Sequence, residues 1–246
     1  MRPPHDVPQE WLHPPSLDRA REVQAELARR VIAADDPGDA LGGAGPRRIA
    51  GVDVSNSPYD PDAMVHAAVA VLDGAGLAVV RTAGARRRAD FPYVPGFLGF
   101  REIPALLDAF RELAEPPDLV VVDGHGLSHP RGLGIACHLG VLLDLPAIGV
   151  AKSVLVGKPE GELGEEAGSR VPLVWRGRVV GAVLRTKRRV NPVYVSVGHR
   201  VSLEGAVRRV LALTRGYRLP EPTRQAHLAA NAFRRAAGER PEAAPG

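Results

Sequence analysis

The sequence predicts an α/β fold: a mixed sheet, an antiparallel meander followed by parallel strands, flanked by helices. Three observations carry this. First, Pro117 to Lys152 reads as strand, helix, strand: an apolar run Leu119-Val120-Val121-Val122 ending on Asp123, then Ile135, Ala136, Leu139, Leu142 and Leu143 at helical spacing, then an apolar run Ala147 to Ala151 ending on Lys152. That succession belongs to a parallel sheet with helices on its faces. Second, the turn signal Asp73-Gly74-Ala75-Gly76 separates two apolar stretches, residues 64–72 and 77–83, as in a hairpin. Third, hydrophobic content is 45% with only 4% aromatic residues, enough for a core, which must be aliphatic.

Taken in order, residues 1–15 are dotted with proline and read as extended. Ser16 can cap a helix carrying Leu17, Ala20, Val23, Leu27 and Val31 on one face. Residues 35–45 are a loop by composition. Residues 48–55 read as a strand with Asp53 in its apolar middle, and with the following hairpin they make a three-stranded meander. Arg86-Arg87-Arg88 is a basic cluster, and Phe91 to Gly96 a stiff loop. A helix through Ile103, Leu106, Leu107, Phe110 and Leu113 follows; Pro104 is expected in its first turn, which puts Glu102 at or just before its start. Beyond Lys152, residues 171–175 and 178–184 form a second hairpin across Arg176-Gly177, residues 193–197 a short strand, and residues 203–213 and 223–235 the closing helices. No repeat or linker divides the 246 residues, so a single domain is expected, with a disordered tail from about residue 238.

Net charge is +4 and the pI about 9.6, a balance that suits a polyanionic partner. The lone cysteine, Cys137, excludes an internal disulfide framework and fits a reducing compartment. There is no bilayer-length apolar run and no signal-peptide core, so a soluble cytoplasmic protein without a membrane partner is expected.

Side chains that do chemistry in parallel sheets sit at the carboxyl ends of strands, where Asp123 and Lys152 fall. An Asp inside an apolar strand is expensive unless paired or bound to a cation. For Asp53 and Asp123 two readings stand, a hydrogen-bonded anchor or a metal ligand. With Glu102 they make three acids, and hard oxygen donors select Mg²⁺ or Mn²⁺. Near them Lys152 is placed to hold a phosphate oxygen. His227, one helical turn after Arg224, is either a surface histidine or part of the site. The loop Gly124-His125-Gly126-Leu127-Ser128-His129 fails as a dinucleotide fingerprint, because His129 stands at the third glycine position. His125 and His129 lack the Cys or acidic partners of a zinc pattern. The glycines would let a flat ligand lie against the backbone. Pro92-Tyr93-Val94-Pro95 brackets an aromatic residue between two rigid positions, which suits insertion into a base stack or a proline turn packed on the core. Arg176, Arg178, Arg185, Lys187, Arg188 and Arg189 are either solvated charge or a nucleic-acid track.

Taken together, G-V-D-V-S at Gly51, F-P-Y-V-P-G-F-L-G-F-R-E at Phe91, V-D-G-H-G-L-S-H-P-R at Val122, I-G-V-A-K-S at Ile148, V-L-R-T at Val183 and L-P-E-P-T-R-Q-A-H at Leu219 resemble endonuclease V, the enzyme that nicks nucleic acid near deaminated adenine. The resemblance runs from the first helix to about Arg235. It implies a ribonuclease-H-like fold and a DNA repair endonuclease that hydrolyses, with Mg²⁺ or Mn²⁺, the second phosphodiester bond 3′ to deoxyinosine, leaving 3′-hydroxyl and 5′-phosphate ends. It further implies that Asp53, Glu102 and Asp123 are the metal-site acids, that Lys152 and His227 are further catalytic residues, and that Pro92, Tyr93, Val94 and Pro95 form the strand-separating wedge. Gly96, Leu98, Gly124, Gly126 and Gly149 would line the pocket for the flipped base, with His129 near the site. One departure is Ser196-Val197-Gly198-His199, where the family has S-P-G-H. The expected partner is inosine-containing DNA, acted on by a monomer. The alternatives are an inosine-specific endoribonuclease, since family members differ in DNA and RNA preference, and an inosine-binding module that does not cut.

Overall fold

The computed structural model describes residues 2–35, 45–56 and 60–238. A nine-stranded sheet runs through the molecule, built from β1 (Arg48–Asn56), β2 (Met64–Asp73), β3 (Val79–Arg88), β4 (Leu119–Val122), β5 (Ala147–Ala151), β6 (Lys158–Pro159), β7 (Arg170–Trp175), β8 (Arg178–Leu184) and β9 (Val193–His199). Their spatial order is β3-β2-β1-β4-β5-β9-β8-β7-β6. β1, β4 and β5 are parallel, and the remaining pairs are antiparallel. The helices are α1 (Leu17–Ala28), α2 (Leu98–Arg111), α3 (Ile135–Leu143), α4 (Leu203–Ala212) and α5 (Glu221–Ala236).

Side chains alternate across a strand, and the core divides accordingly. Ala50, Val52, Val120 and Val122 join the cluster that holds the buried residues of α1, α2 and α3. Ile49, Leu119, Val121, Ile148 and Val150 join the opposite one, with Ala206, Val207 and Val210 of α4 and Ala226 of α5. Asp53 and Asp123 continue the second set, so their side chains leave the sheet on the α5 side, at the carboxyl ends of paired parallel strands.

The expected elements form, with five differences. Residues 1–15, expected to be extended, include two 3-10 turns, Pro4–Asp6 and Gln9–Trp11. α2 begins at Leu98, so Pro104 lies inside the helix and Glu102 in its second turn. The missing N–H at Pro104 is outweighed by burial of Phe100, Ile103, Leu106 and Phe110 along the helix, supported by ring contacts of Phe100 with Phe91 and Phe97. β3 runs on to Arg88 and takes in the basic cluster, because Arg86, Arg87 and Arg88 pair in register with His66, Val65 and Met64. α1 stops at Ala28, before Val31, and Leu17 at its start is exposed. The two-residue β6 pairs with β7 at the sheet edge and has no sequence signal of its own. Ser16 caps α1 as expected, accepting from the Arg19 N–H. Arg176 and Gly177 both take positive φ, 51° and 73°, the requirement of a tight two-residue hairpin turn. Most of the 35–45 loop, and the tail from residue 239, lie outside the described residues. Among the described residues no helix is long and apolar enough to cross a membrane.

Candidate active site

The register of β1 and β4 brings Val52 beside Val122, and the Asp123 N–H donates to the Val52 carbonyl at 3.1 Å. Asp53 and Asp123 therefore leave adjacent strands side by side. β5 places Lys152 on the far flank of Asp123, its Nζ 2.6 Å from Asp123 Oδ2. That contact is close but not aligned as a hydrogen bond, which leaves Oδ2 buried without a directed donor. From α5, His227 Nδ1 lies 2.9 Å from Asp53 Oδ2, and the Asn231 amide lies 3.0 Å from His227 Nε2. With Asn231 donating to Nε2, the proton sits on Nδ1 and goes to Asp53. From α2, Glu102 Oε1 accepts from Asn56 Nδ2 at 2.8 Å.

The electrostatics follow from burial among like charges. Burial, aided by Asp53 and Asp123 and opposed by the Asn56 hydrogen bond, pushes the Glu102 carboxyl up to about 7. Burial and the neighbouring Asp53 raise Asp123, with Lys152 pulling the other way. The Asp53 hydrogen bond raises His227. Burial takes His125 and His129 down to about 4, with Arg131 also lowering His129.

A cleft of about 400 Å³ opens over these groups. Asp53, Glu102 and Asp123 line it, as do Tyr93, Pro95, Gly96, Leu98, Gly124, His125 and His129. Pro92 and Val94 are not among the lining residues, although both belong to the same loop; Tyr93 is 43% exposed at the rim. Gly126 and Gly149 do not line the cleft either. A Cβ on Gly126 would come 2.0 Å from the Val197 carbonyl oxygen, and one on Gly149 would come 2.7 Å from the Gly124 carbonyl oxygen and the Gly126 nitrogen. These two glycines let the loop after β4 lie flat on β5 and β9. The basic set around the second hairpin is largely occupied. Arg185 donates to Gly164 O at 2.6 Å, Arg188 and Arg189 pair with Glu166 and Glu165, and Arg176 lies over Trp175.

Whether these residues suit a divalent cation can be judged from their donors. The oxygens are hard, Asp123 Oδ2 is buried with the Lys152 ammonium beside it, and Glu102 is half-buried where desolvation makes its charged form need a counter-charge. They fit Mg²⁺ or Mn²⁺ in kind. Among the described residues, however, no three His, Cys, Asp or Glu side chains stand close enough together to hold a metal ion as placed. Each acid instead faces a protein group: His227, Asn56 or Lys152.

Four residues to which the sequence assigns no role in the site support it. Asn231 lies four residues after His227, a spacing that puts both on one helix face and could have been noticed. Asn56 reads as a turn residue but holds Glu102. Gln24 and Arg131, on α1 and in the loop after β4, converge on Gly96, and no local pattern announces that meeting.

Comparisons with known proteins agree with this architecture. A family model described as endonuclease V matches residues 25–228. An endonuclease V of Rhodospirillum centenum is 60% identical over 233 residues, covering 95% of each chain. The crystal structure of endonuclease V from Streptomyces avermitilis superimposes with a TM-score of 0.83 at 47% identity, over 94% of this chain and 98% of that one. Ciona intestinalis endonuclease V, solved in complex with a 23mer DNA containing an inosine followed by a ribo-adenosine, superimposes with a TM-score of 0.76 at 26% identity, over 90% of this chain and 98% of that one. With a matched model over most of its length and a close relative over nearly all of it, the chain belongs to the endonuclease V family of nucleases.

Proposed function

We propose that this protein nicks inosine-containing DNA, hydrolysing the second phosphodiester bond 3′ to deoxyinosine and leaving 3′-hydroxyl and 5′-phosphate ends. The observation that carries this reading is the meeting of Asp53, Asp123 and Glu102 in one cleft, with Lys152 and His227 against two of the acids. The DNA partner is supported by the Ciona relative, bound to inosine-containing DNA.

Asp53, Asp123 and Glu102 would hold Mg²⁺, with Mn²⁺ able to substitute. When bound, the ion supplies charge neutralisation at the scissile phosphate and an acidified water. Lys152 holds a positive charge where negative charge accumulates in the transition state, and its pairing with Asp123 keeps its long side chain oriented before substrate arrives. His227, hydrogen-bonded to Asp53 and braced by Asn231, fixes that carboxylate and carries a proton at the edge of the site. A flipped hypoxanthine would enter between Gly96, Leu98 and Gly124, where the absence of side chains on the glycines leaves the backbone open to the base edge. Tyr93, exposed at the rim, fills the gap left in the stack.

The test compares end-labelled duplexes that differ only in one inosine or adenosine, with matched RNA strands, and maps the product ends. Cutting one nucleotide beyond the inosine-flanking bond, on DNA only, is expected. Uncut inosine DNA would refute the proposal, and cutting confined to RNA would reassign the enzyme as an endoribonuclease.

A further inference from the structure

We infer that Gln24 and Arg131 are positioning residues for the Tyr93 loop, which they aim by holding the carbonyl of Gly96. The inference rests on the strand-separating role proposed for Tyr93. Gly96 O accepts from Arg131 Nη2 at 2.6 Å, from Gln24 Nε2 at 2.8 Å and from His129 Nε2 at 3.2 Å. A carbonyl has two lone pairs, so three donors, one of them a guanidinium, exceed what backbone satisfaction requires.

The donors are themselves locked. Arg131 Nε donates to Gln24 Oε1, which leaves the Gln24 amide nitrogen as the group facing Gly96. The Arg131 N–H donates to His129 Nδ1, so the proton of a neutral His129 sits on Nε2 and points at the same carbonyl. The Arg131 guanidinium lies 4.1 Å from the Phe97 ring centroid. Gln24 is 2% exposed, on a helix face otherwise made of Ala20, Val23 and Leu27. An apolar residue there would pack α1 at lower desolvation cost, so the buried amide needs a reason beyond packing.

Gly96 is where such a hold has leverage. It takes φ of 80°, and a Cβ there would come 2.9 Å from Arg131 Nη2. The next residue closes a turn back onto the loop, Phe97 N–H to Val94 O at 3.0 Å. Proline fixes the backbone at residues 92 and 95, so one anchored carbonyl at residue 96 sets the direction of the whole loop. A ring parts stacked bases only if the backbone behind it does not yield.

The experiment measures nicking with Mg²⁺ by wild type, Gln24→Met, Tyr93→Ala and the double variant. Each acts on an inosine-containing duplex and on the same inosine strand alone, which needs no strand separation. Gln24→Met is expected to raise KM for the duplex about fivefold to tenfold, the scale of one lost hydrogen bond. Its kcat on the duplex should change little, and its KM for the single strand should rise less than that for the duplex, because there only the Gly96 wall of the pocket is disturbed and no strands are parted. In the Tyr93→Ala background the same substitution should add nothing further. Equal losses on both substrates, or additive effects in the double variant, would overturn the inference. Melting temperatures are read alongside; if Gln24→Met loses its fold, Arg131→Lys, which keeps the charge but not the forked donors, carries the same comparison. A wild type that leaves both inosine substrates intact would reject the nuclease reading itself, and the inference would fall with it.

Discussion

Asp123 is held in an environment that opposes its charge. Burial and the adjacent Asp53 raise its pKa, while Lys152 and, more weakly, His227 pull it down. Such a carboxylate contributes little to folding and is suited to a site where a cation and a phosphate arrive together. Asp123→Asn keeps the shape and removes one negative charge. It should lower the single-turnover nicking rate at least about a hundredfold, the loss expected for a strong electrostatic stabiliser. Affinity for the inosine duplex should persist, because the pocket and the Tyr93 loop are untouched. Gel-shift titration and single-turnover nicking on one duplex check this; parallel loss of binding and cutting in a folded variant would mean that Asp123 places the substrate instead. A carboxylate ending an apolar strand was legible in the sequence. Its neighbours were only half legible: the pairing of Asp53 with His227 joins residues 174 apart in the chain, which no local pattern encodes.

At the scale of elements, one close approach sets the site. α5 carries His227, and it lies so near β1 that a Cβ on Gly51 would come 1.8 Å from the Pro222 carbonyl oxygen. Gly51→Ala must push the start of α5 outward. Overpacking of this kind costs about 1–3 kcal/mol, and nicking should fall as His227 withdraws from Asp53. Urea unfolding together with a nicking assay checks both, and an unchanged midpoint would show that the helix yields without loss. On the other face, α3 buries His138, whose Nε2 lies 3.2 Å from the Trp11 carbonyl oxygen and whose ring meets Phe100 edge-on. Burial lowers His138 from 6.5 to about 4. The unfolded chain thus takes up a proton between those values while the folded one does not. Stability is full above about pH 6.5 and declines as pH falls toward about 4, by up to about 1.4 kcal/mol per pH unit. His138→Gln keeps an N–H for Trp11 and removes the titration, so its unfolding free energy should fall less between pH 7 and pH 5. Equal slopes in the two proteins would contradict the assignment. Apolar periodicity made the elements readable. The start of α2 was not, because Pro104 looks like a helix start while tertiary packing of Phe97 and Phe100 carries the helix back to Leu98.

For the whole molecule, the fold brings Asp53 of β1, Glu102 of α2 and Asp123 at the end of β4 into one cleft, where we propose metal-dependent hydrolysis beside an inosine pocket. The topology behind that was readable: strand, helix, strand around Asp123, and a meander ahead of it. The layering of loop on sheet was not: no local pattern shows that Gly126 and Gly149 are the positions where the loop after β4 meets β9 and β5 backbone to backbone. Asp53 faces His227, Glu102 faces the Asn56 amide and Asp123 faces Lys152. The decisive measurement is nicking of one inosine duplex by the purified full chain, in excess EDTA and after return of Mg²⁺ or Mn²⁺. Cleavage should vanish with chelator and return with either ion, while the adenosine control stays intact. Undiminished nicking in excess EDTA would contradict metal-dependent hydrolysis.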